Sequence, residues 1–473
     1  MTERKTEYIR KKIMNQNFIQ IDGLDLVYQG EKIYIQGVTL GNWLILEDHM
    51  SGIPYVEHKA RERFSAILGK ETGEAFFDAY QETYITEKDI AYIKELGANM
   101  LRVPFNYRLF EDGMNPGVYK EEGFAHLDKV VAWAKKYDLF VLIDLHAAPG
   151  CQAVDWNVDC AGPDALFWKE KDYQQRTIKL WQSIAARYKD ETAVMGYELL
   201  GEPVAIAPME FDDRPIQDFY REIIPAVRSV DPNHIFVLVA NQWGRGTESL
   251  TPDLFEDPQT MPSPHFYPYE SIPYSEVTSY PCEVADREKL TSILNDRVDL
   301  EKVKRPVLFG EFGLDHTTAT EPIYQLVEDQ VSVFKEKGFH WCIWAYKDVG
   351  PFGFINPAAD SPWKKFIERD DIKEEKKKLD HLCRVDYHAG APVQSVFFDS
   401  VRELFPQLDF EYTQHRVREA RRNMEHLLLD SFLLKMKELS QEEILALAKS
   451  FSFDQCTINP RGEQMMKKML KPE

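Results

Sequence analysis

The sequence predicts a (β/α)8 barrel followed by a C-terminal helical extension. Three observations carry that prediction. Strand-like and helix-like segments alternate from about residue 30 to 370, eight strand candidates can be counted, and two of those strands hand a glutamate to the point where the chain turns. Alternation of this kind is the pattern of a parallel α/β fold.

The eight candidates are Lys32–Leu40, Asn99–Pro104, Phe140–Leu145, Val194–Leu200, His234–Ala240, Ser263–Phe266, Val307–Glu311 and His340–Tyr346. Amphipathic helices are expected between them. Thr86-Glu87-Lys88-Asp89 reads as a capping box, with Ile90, Ile93 and Leu96 on one face and Gly97 as terminator. Leu127, Val130, Val131 and Ala134 make a helical stripe. Pro215 stands at a first-turn position ahead of Ile216, Phe219, Tyr220, Ile223 and Ile224. A doubly wound open sheet is the alternative, but no GxGxxG or GxxxxGK[ST] follows any strand. The barrel is therefore assigned to residues 1–370.

Residues 371–473 differ in composition. Asp370 to Lys378 is a charge run, and Ser440-Gln441-Glu442-Glu443 is a capping box before Ile444, Leu445 and Leu447. No strand pattern is visible there, so a helical extension packed on the outside of the barrel is expected. His415 to Arg422 is rich in Arg and reads as a solvated helix face, with contact to an anionic partner as the alternative.

A chain of 473 residues with 44% hydrophobic content holds a large core. Its 9 Trp, 22 Tyr and 28 Phe suit a protein that stacks sugar rings, and they suit a large core equally. The formal charge of −21 argues against nucleic acid, whose binding relies on Lys and Arg neutralising phosphates. Met1 to Lys12 is charged and lacks the apolar stretch of a signal peptide. No apolar run approaches the roughly 20 residues that span a bilayer. Six scattered cysteines without a CxxC suggest a reduced, cytoplasmic protein. Cys151 and Cys160 are close enough in sequence to pair in an exported protein, and otherwise read as two free thiols in one loop. Oligomeric state stays open.

The chemistry centres on Glu202, in Gly196-Tyr197-Glu198-Leu199-Leu200-Gly201-Glu202-Pro203, and Glu311, in Leu308-Phe309-Gly310-Glu311-Phe312-Gly313. They fall on the fourth and seventh strands. A barrel builds its active site from the C-terminal ends of its strands. Two carboxylates about 5–5.5 Å apart are what a retaining glycosidase needs, one to protonate the leaving oxygen and one to attack the anomeric carbon.

Further strings extend the pattern. The chain resembles glycoside hydrolase family 5 from about residue 33 to 365, in its exo-β-1,3-glucanase-like branch. Gly37-Val38-Thr39-Leu40-Gly41-Asn42-Trp43-Leu44-Ile45-Leu46-Glu47 is similar to that branch's opening GxNLGxWLxxE. Leu101-Arg102-Val103-Pro104 looks like its LRxP, and Asp144-Leu145-His146-Ala147-Ala148-Pro149-Gly150 like its DLHxAPG. His265-Phe266-Tyr267 matches HxY, and Gly310-Glu311-Phe312 matches GE[FW].

The resemblance implies Glu202 as acid/base and Glu311 as nucleophile. It implies that Arg102 and Tyr267 hold the nucleophile, that His265 orients the acid/base, and that Glu47 and His146 bind sugar hydroxyls. Trp243 and Trp344 would be stacking platforms, and Asp155 is a looser substrate-binding assignment. No metal and no cofactor are implied, and the partner would be a β-linked oligosaccharide or small glycoside. The implied activity is hydrolysis of β-glucosides or short β-glucan oligosaccharides.

One departure stands out. The family has Asn before its acid/base, where this chain has Gly201. That Asn serves the sugar's 2-hydroxyl, so its loss keeps open a β-mannosidase or a C2-modified β-glycosidase, with the freed space taken by a larger C2 group or a water. It also keeps open a weakened carbohydrate-binding relative. A metal enzyme using His146, Glu202, His265 and Glu311 is disfavoured because no HExxH or close His pair exists.

Overall fold

The computed structural model describes residues 17–207, 210–267, 284–383 and 395–471, and Met1 to Lys12 and Cys282 lie outside them. Eight parallel strands close on themselves: β1 (Gln36–Thr39), β2 (Met100–Asn106), β3 (Phe140–Ala147), β4 (Val194–Glu198), β5 (Ile235–Leu238), β6 (Thr260–Pro262), β7 (Leu308–Phe309) and β8 (His340–Ile343). Each pairs with its neighbours in chain order, and β8 returns to β1 with Trp341 opposite Gln36. The seam between β6 and β7 is closed by a single parallel bridge, His265 opposite Glu311, in which Phe266 N donates to the Glu311 carbonyl at 2.9 Å.

The expected sixth strand, Ser263–Phe266, is corrected to Thr260–Pro262. Prolines 262 and 264 lack the N–H that a longer ladder needs, so regular pairing stops and His265 is left in an isolated bridge. The expected first strand, Lys32–Leu40, is two strands, because the chain changes partners at Tyr34 and Ile35. Glu31–Ile33 is the last strand of an antiparallel sheet with Gln20–Asp22 and Asp25–Tyr28. That sheet plugs the N-terminal end of the barrel: Ile19, Ile21 and Leu26 join Met100, Leu142 and Met195 in one buried cluster.

Helices α1 (Glu57–Leu68), α2 (Lys70–Tyr84) and α3 (Glu87–Leu96) link β1 to β2. Helices α4 (Glu121–Lys136), α5 (Lys171–Tyr188), α6 (Arg214–Arg228), α7 (Val284–Arg297) and α8 (Glu321–Lys337) serve the later crossovers. Between β5 and β6 stand only the short turns Asn241–Gly244 and Pro252–Phe255. The Thr86/Asp89 capping box opens α3, and Gly97 ends it at φ 103°. The predicted apolar stripes of α3, α4 and α6 are buried. Among the described residues no helix is long and apolar enough to cross a membrane.

Beyond the barrel follow α9 (Asp370–Cys383), α10 (Val396–Leu404), α11 (Phe410–Met436), α12 (Gln441–Lys449) and α13 (Pro460–Met469). The Ser440/Glu443 capping box opens α12. Helix α11 packs on α1, α12 on α2 and α13 on α8. Arg63 grips Asp430 with two bonds of 2.6 and 2.8 Å. Buried Lys347, 2.5 Å from Asp89, donates to the carbonyls of Tyr84 and Phe451 and so ties the barrel to the segment after α12. The expectation of no strand here is corrected: Cys456–Ile458 pairs antiparallel with Ile355–Pro357. Three residues are too few to show alternation in sequence.

Burial pushes the imidazoles of His265, His316 and His340 down to about 4. His340 Nδ1 accepts from Ile35 N at 3.1 Å, so the ring is needed neutral where β8 meets β1. An unfolded imidazole titrates near 6.5, so between about 6.5 and 4 the unfolded chain binds protons that the folded one refuses. The stabilisation from neutral His340 is complete above pH 6.5 and is lost as pH falls towards 4. His340→Gln should therefore destabilise most at pH 7 and least near pH 4, measured as the shift in urea midpoint at each pH.

Candidate active site

Every residue expected in the site lies at the C-terminal end of the barrel strands. Glu47 follows β1, Arg102 lies on β2, His146 ends β3 and Asp155 stands in the loop beyond it. Glu202 follows β4, Trp243 follows β5, His265 and Tyr267 follow β6, Glu311 follows β7 and Trp344 follows β8.

The floor of the site is built around Arg102, which is fully buried. Nη1 donates to Glu311 Oε2 at 2.9 Å, Nη2 to Glu198 Oε1 at 2.7 Å, and Nη2 also lies 2.9 Å from Asp144 Oδ2. Asp144 and Glu198 face each other in register on β3 and β4. Burial opposes the guanidinium's charge, but these three carboxylates together hold it well above the ordinary value. Burial raises the Asp144 carboxyl to about 6 and raises Glu198 as well, with Arg102 opposing in both. Asp144 then accepts from His146 Nδ1 at 2.9 Å, which leaves Nε2 as that ring's outward nitrogen.

Glu311 is held on both oxygens, by Arg102 on Oε2 and by the Tyr267 hydroxyl on Oε1 at 2.9 Å. Glu202 Oε1 lies 2.8 Å from His265 Nδ1, and Asn157 Nδ2 donates to Oε2. A neutral His265 donates to an ionised Glu202 in one tautomer and accepts from a protonated Glu202 in the other, which suits a group that changes state during a reaction. One carboxyl oxygen of Glu202, one of Glu311 and a nitrogen of His265 all lie within 4.8 Å of one another. That closeness matches the roughly 5–5.5 Å spacing of retaining glycosidases and falls well short of the inverting range. A cation placed there would meet the Arg102 guanidinium already bonded to Glu311.

The Glu202 backbone stands in the left-handed region, φ 42°, a strained conformation for a residue with a side chain. The neighbouring chain holds it there. Gly201 N donates to the Leu145 carbonyl at 2.9 Å, and Val204 N to the Gln152 carbonyl at 2.8 Å. The Gln152 amide donates to the carbonyls of both His146 and Gly201.

Glu47 is buried, and burial lifts its carboxyl to about 8, with His49 opposing and Glu311 and Glu202 adding to the rise. Its carboxyl therefore keeps its proton to higher pH than an exposed glutamate does. Trp243 is half-buried, and its Nε1 donates to Asp155 Oδ2 at 2.8 Å. Trp344 is 3% exposed, packed on Gly41 and parallel to the His146 ring at 6.2 Å, so it is a wall rather than an open platform.

Four participants carried no role in the sequence reading: Asp144, Glu198, Asn157 and Arg422. Asp144 and Glu198 sat inside quoted strings, and inward-facing acids on adjacent strands were a usable signal. Asn157 and Arg422 had none, since each depends on a loop path or on a helix distant in sequence. Arg422 also corrects the expectation of a solvated face for His415 to Arg422, because it is 7% exposed and turned inward.

Comparison with known proteins agrees with this geometry. The family model Cellulase (glycosyl hydrolase family 5) matches residues 62–350. The chain belongs to glycoside hydrolase family 5. It is 30% identical over 462 residues to a β-xylosidase of Phanerodontia chrysosporium, covering 93% of this chain and 95% of that protein. It is 26% identical to endoglucanase C of Acetivibrio thermocellus over 58% of this chain and 88% of that protein. A probable glucan 1,3-β-glucosidase A of Emericella nidulans is 32% identical over 43% of this chain and 50% of that protein. Among solved structures, rutinosidase from Aspergillus niger shares the fold with a TM-score of 0.53 and 17% identity, covering 68% of this chain and 92% of that one. The protein is a retaining β-glycoside hydrolase and binds carbohydrate.

The family's missing Asn now has a local explanation. A Cβ on Gly201 would stand 2.5 Å from His146 Nδ1, 2.9 Å from Asp144 Oδ1 and 3.1 Å from His146 Cα. The direction a side chain would take is filled by the His146–Asp144 pair, which corrects the expectation of free space for a larger C2 group. Gly201→Ala should displace His146 and lower kcat/KM by about tenfold or more, equivalent to about 1.4 kcal/mol of transition-state stabilisation. Gly201→Asn should do no better. Steady-state kinetics on aryl β-glycosides, with circular dichroism to confirm folding, checks both.

Proposed function

We propose that this protein is an exo-acting retaining β-glycosidase that removes a terminal glucose or xylose from short β-linked oligosaccharides or small glycosides. Glu311 acts as nucleophile and Glu202 as acid/base. The observation that carries the proposal is the pair of carboxyl groups with oxygens within 4.8 Å, one gripped by Arg102 and Tyr267 and the other by His265 and Asn157.

Arg102 and Tyr267 fix both oxygens of Glu311 and so aim the nucleophile. Glu311 attacks the anomeric carbon while the Glu202 proton passes to the departing oxygen, giving a glycosyl ester on Glu311. Glu202, now ionised, takes a proton from water, and that water cleaves the ester with the original configuration restored. His265 neutral in either tautomer accommodates both states of Glu202.

Exo action is supported by burial. Glu202 is 7% and Glu311 5% exposed, as expected of a pocket that admits a chain end rather than a groove that admits a chain's middle. Glucose and xylose are supported by the opening string through Glu47 and by the β-xylosidase match over 93% of the chain. A β-mannosidase or C2-modified reading loses its motive, because the space at Gly201 is occupied. A non-catalytic binding relative has no use for two carboxylates so fully equipped. A reducing, cytoplasmic location is supported by Cys151, Cys160, Cys342, Cys383 and Cys456, which are free thiols. The net charge of −21 disfavours nucleic-acid and anionic-membrane partners.

A 2-deoxy-2-fluoro-β-glucosyl or xylosyl fluoride should label Glu311, read as a peptide mass shift. Glu311→Ala should abolish turnover. Glu202→Ala should keep cleavage of activated aryl glycosides to the ester, and azide should then give a β-glycosyl azide. Label on another residue, or an α-azide from Glu202→Ala, would reverse the roles. A panel of oligosaccharides of rising length should release only monosaccharide.

A further inference from the structure

The C-terminal extension reaches the β3 loop beside the catalytic groups. Arg422 of α11 donates from Nη1 to the Val154 carbonyl and from Nη2 to Asp155 Oδ1 at 2.8 Å. Both partners of the ion pair are buried, Arg422 at 7% and Asp155 at 6% exposure, and the guanidinium lies 5.8 Å from the Trp156 ring centre. The second Asp155 oxygen accepts from Trp243 Nε1. Asp155 precedes the single turn Trp156–Val158, and inside that turn Asn157 reaches Glu202. A continuous set of contacts therefore runs from α11 through Val154 and Asp155 to Asn157 and then to Glu202.

We infer that Arg422 is a positioning residue for the glycosidic reaction, holding the β3 loop so that Asn157 stays bonded to the acid/base and Trp243 stays fixed beside it. The extension is thereby part of the active site. This rests on Glu202 being the acid/base. Removing one partner of a buried ion pair is costly, so without Arg422 the Asp155 carboxylate loses the bond that holds the β3 loop inward. The bond from Asn157 favours ionised Glu202, so its loss raises the pKa at which Glu202 gives up its proton. That consequence reaches the pH profile, which ordinary loosening of the fold does not move.

The test compares Arg422→Met, which keeps the stem over Trp156, with Arg422→Lys, which keeps the charge but not the two-pronged geometry. Each is assayed on phenyl and 2,4-dinitrophenyl β-glycosides, because only the poor phenolate leaving group depends strongly on a well-placed acid. The expected result for Arg422→Met is a loss in kcat/KM at least about tenfold larger for the phenyl glycoside, with the alkaline limb displaced upward. Arg422→Lys should fall between this variant and wild type. Asn157→Ala should show the same leaving-group dependence, and adding Arg422→Met to it should cost little more, since residues acting in one chain are not additive. Equal losses on both glycosides with an unmoved alkaline limb, or fully additive losses in the double variant, would overturn the inference. Should Arg422→Met not fold, Arg422→Lys and Asn157→Ala carry the same comparison. Glu202→Ala run alongside separates the two claims: if it shows no leaving-group dependence, the acid/base assignment itself has failed.

Discussion

A single buried cation organises this protein's chemistry. Arg102 sits in the barrel with no access to solvent and contacts Asp144, Glu198 and Glu311. Taking a guanidinium out of water costs several kcal/mol, and the cost is met only when the donors are fully engaged with opposite charge. That requirement sets the sequence around it. Acids must face inward at register partners on β3 and β4, and a third must arrive from the end of β7. Because burial outweighs the pull of the guanidinium, Asp144 and Glu198 keep their protons to higher pH than exposed acids do. Arg102 holds Glu311, whereas an imidazole and an amide hold Glu202.

The barrel supplies the directions. Parallel strands put all their C-terminal ends on one side, so groups far apart in sequence converge there without long loops. The seam between β6 and β7 is where the ladder thins to one bridge, and that bridge joins His265 to Glu311. Two short strands, β6 among them limited by its prolines, free the backbone where His265 and Glu311 enter the site. The left-handed Glu202 is a similar concession, held by Gln152 and the β3 loop rather than by regular structure. At the other end, the antiparallel sheet of residues 20–33 seals the barrel, so no solvent reaches Arg102 from below.

The extension takes part in the same logic. Its helices cover the outside of α1, α2 and α8, and the Lys347–Asp89 pair links β8, α3 and the carbonyl of Phe451 in one buried knot. Arg422 then carries the extension from the outside of the barrel to the rim of the pocket. The wall it steadies, with Asp155 and Trp243, is joined to Glu202 through Asn157.

The barrel, its helices and the two glutamates were legible in the sequence because each rests on local rules. Hydrophobic period, capping boxes at Thr86 and Ser440, and carboxylates at strand ends are properties of a few consecutive residues. Strand bounds were less legible at β1 and β6, where a change of partner or a proline, rather than the apolar pattern, decides the end. What the tertiary structure alone decided is who meets whom. Gly201 looked like space for a substrate and is a close approach to His146. Trp344 looked like a platform and is a wall. Arg422 looked solvated and is buried against Asp155. The physical reason is common to all three: a residue's chemistry is local, but its desolvation and its partners depend on chain segments far away in sequence, and no spacing rule encodes those.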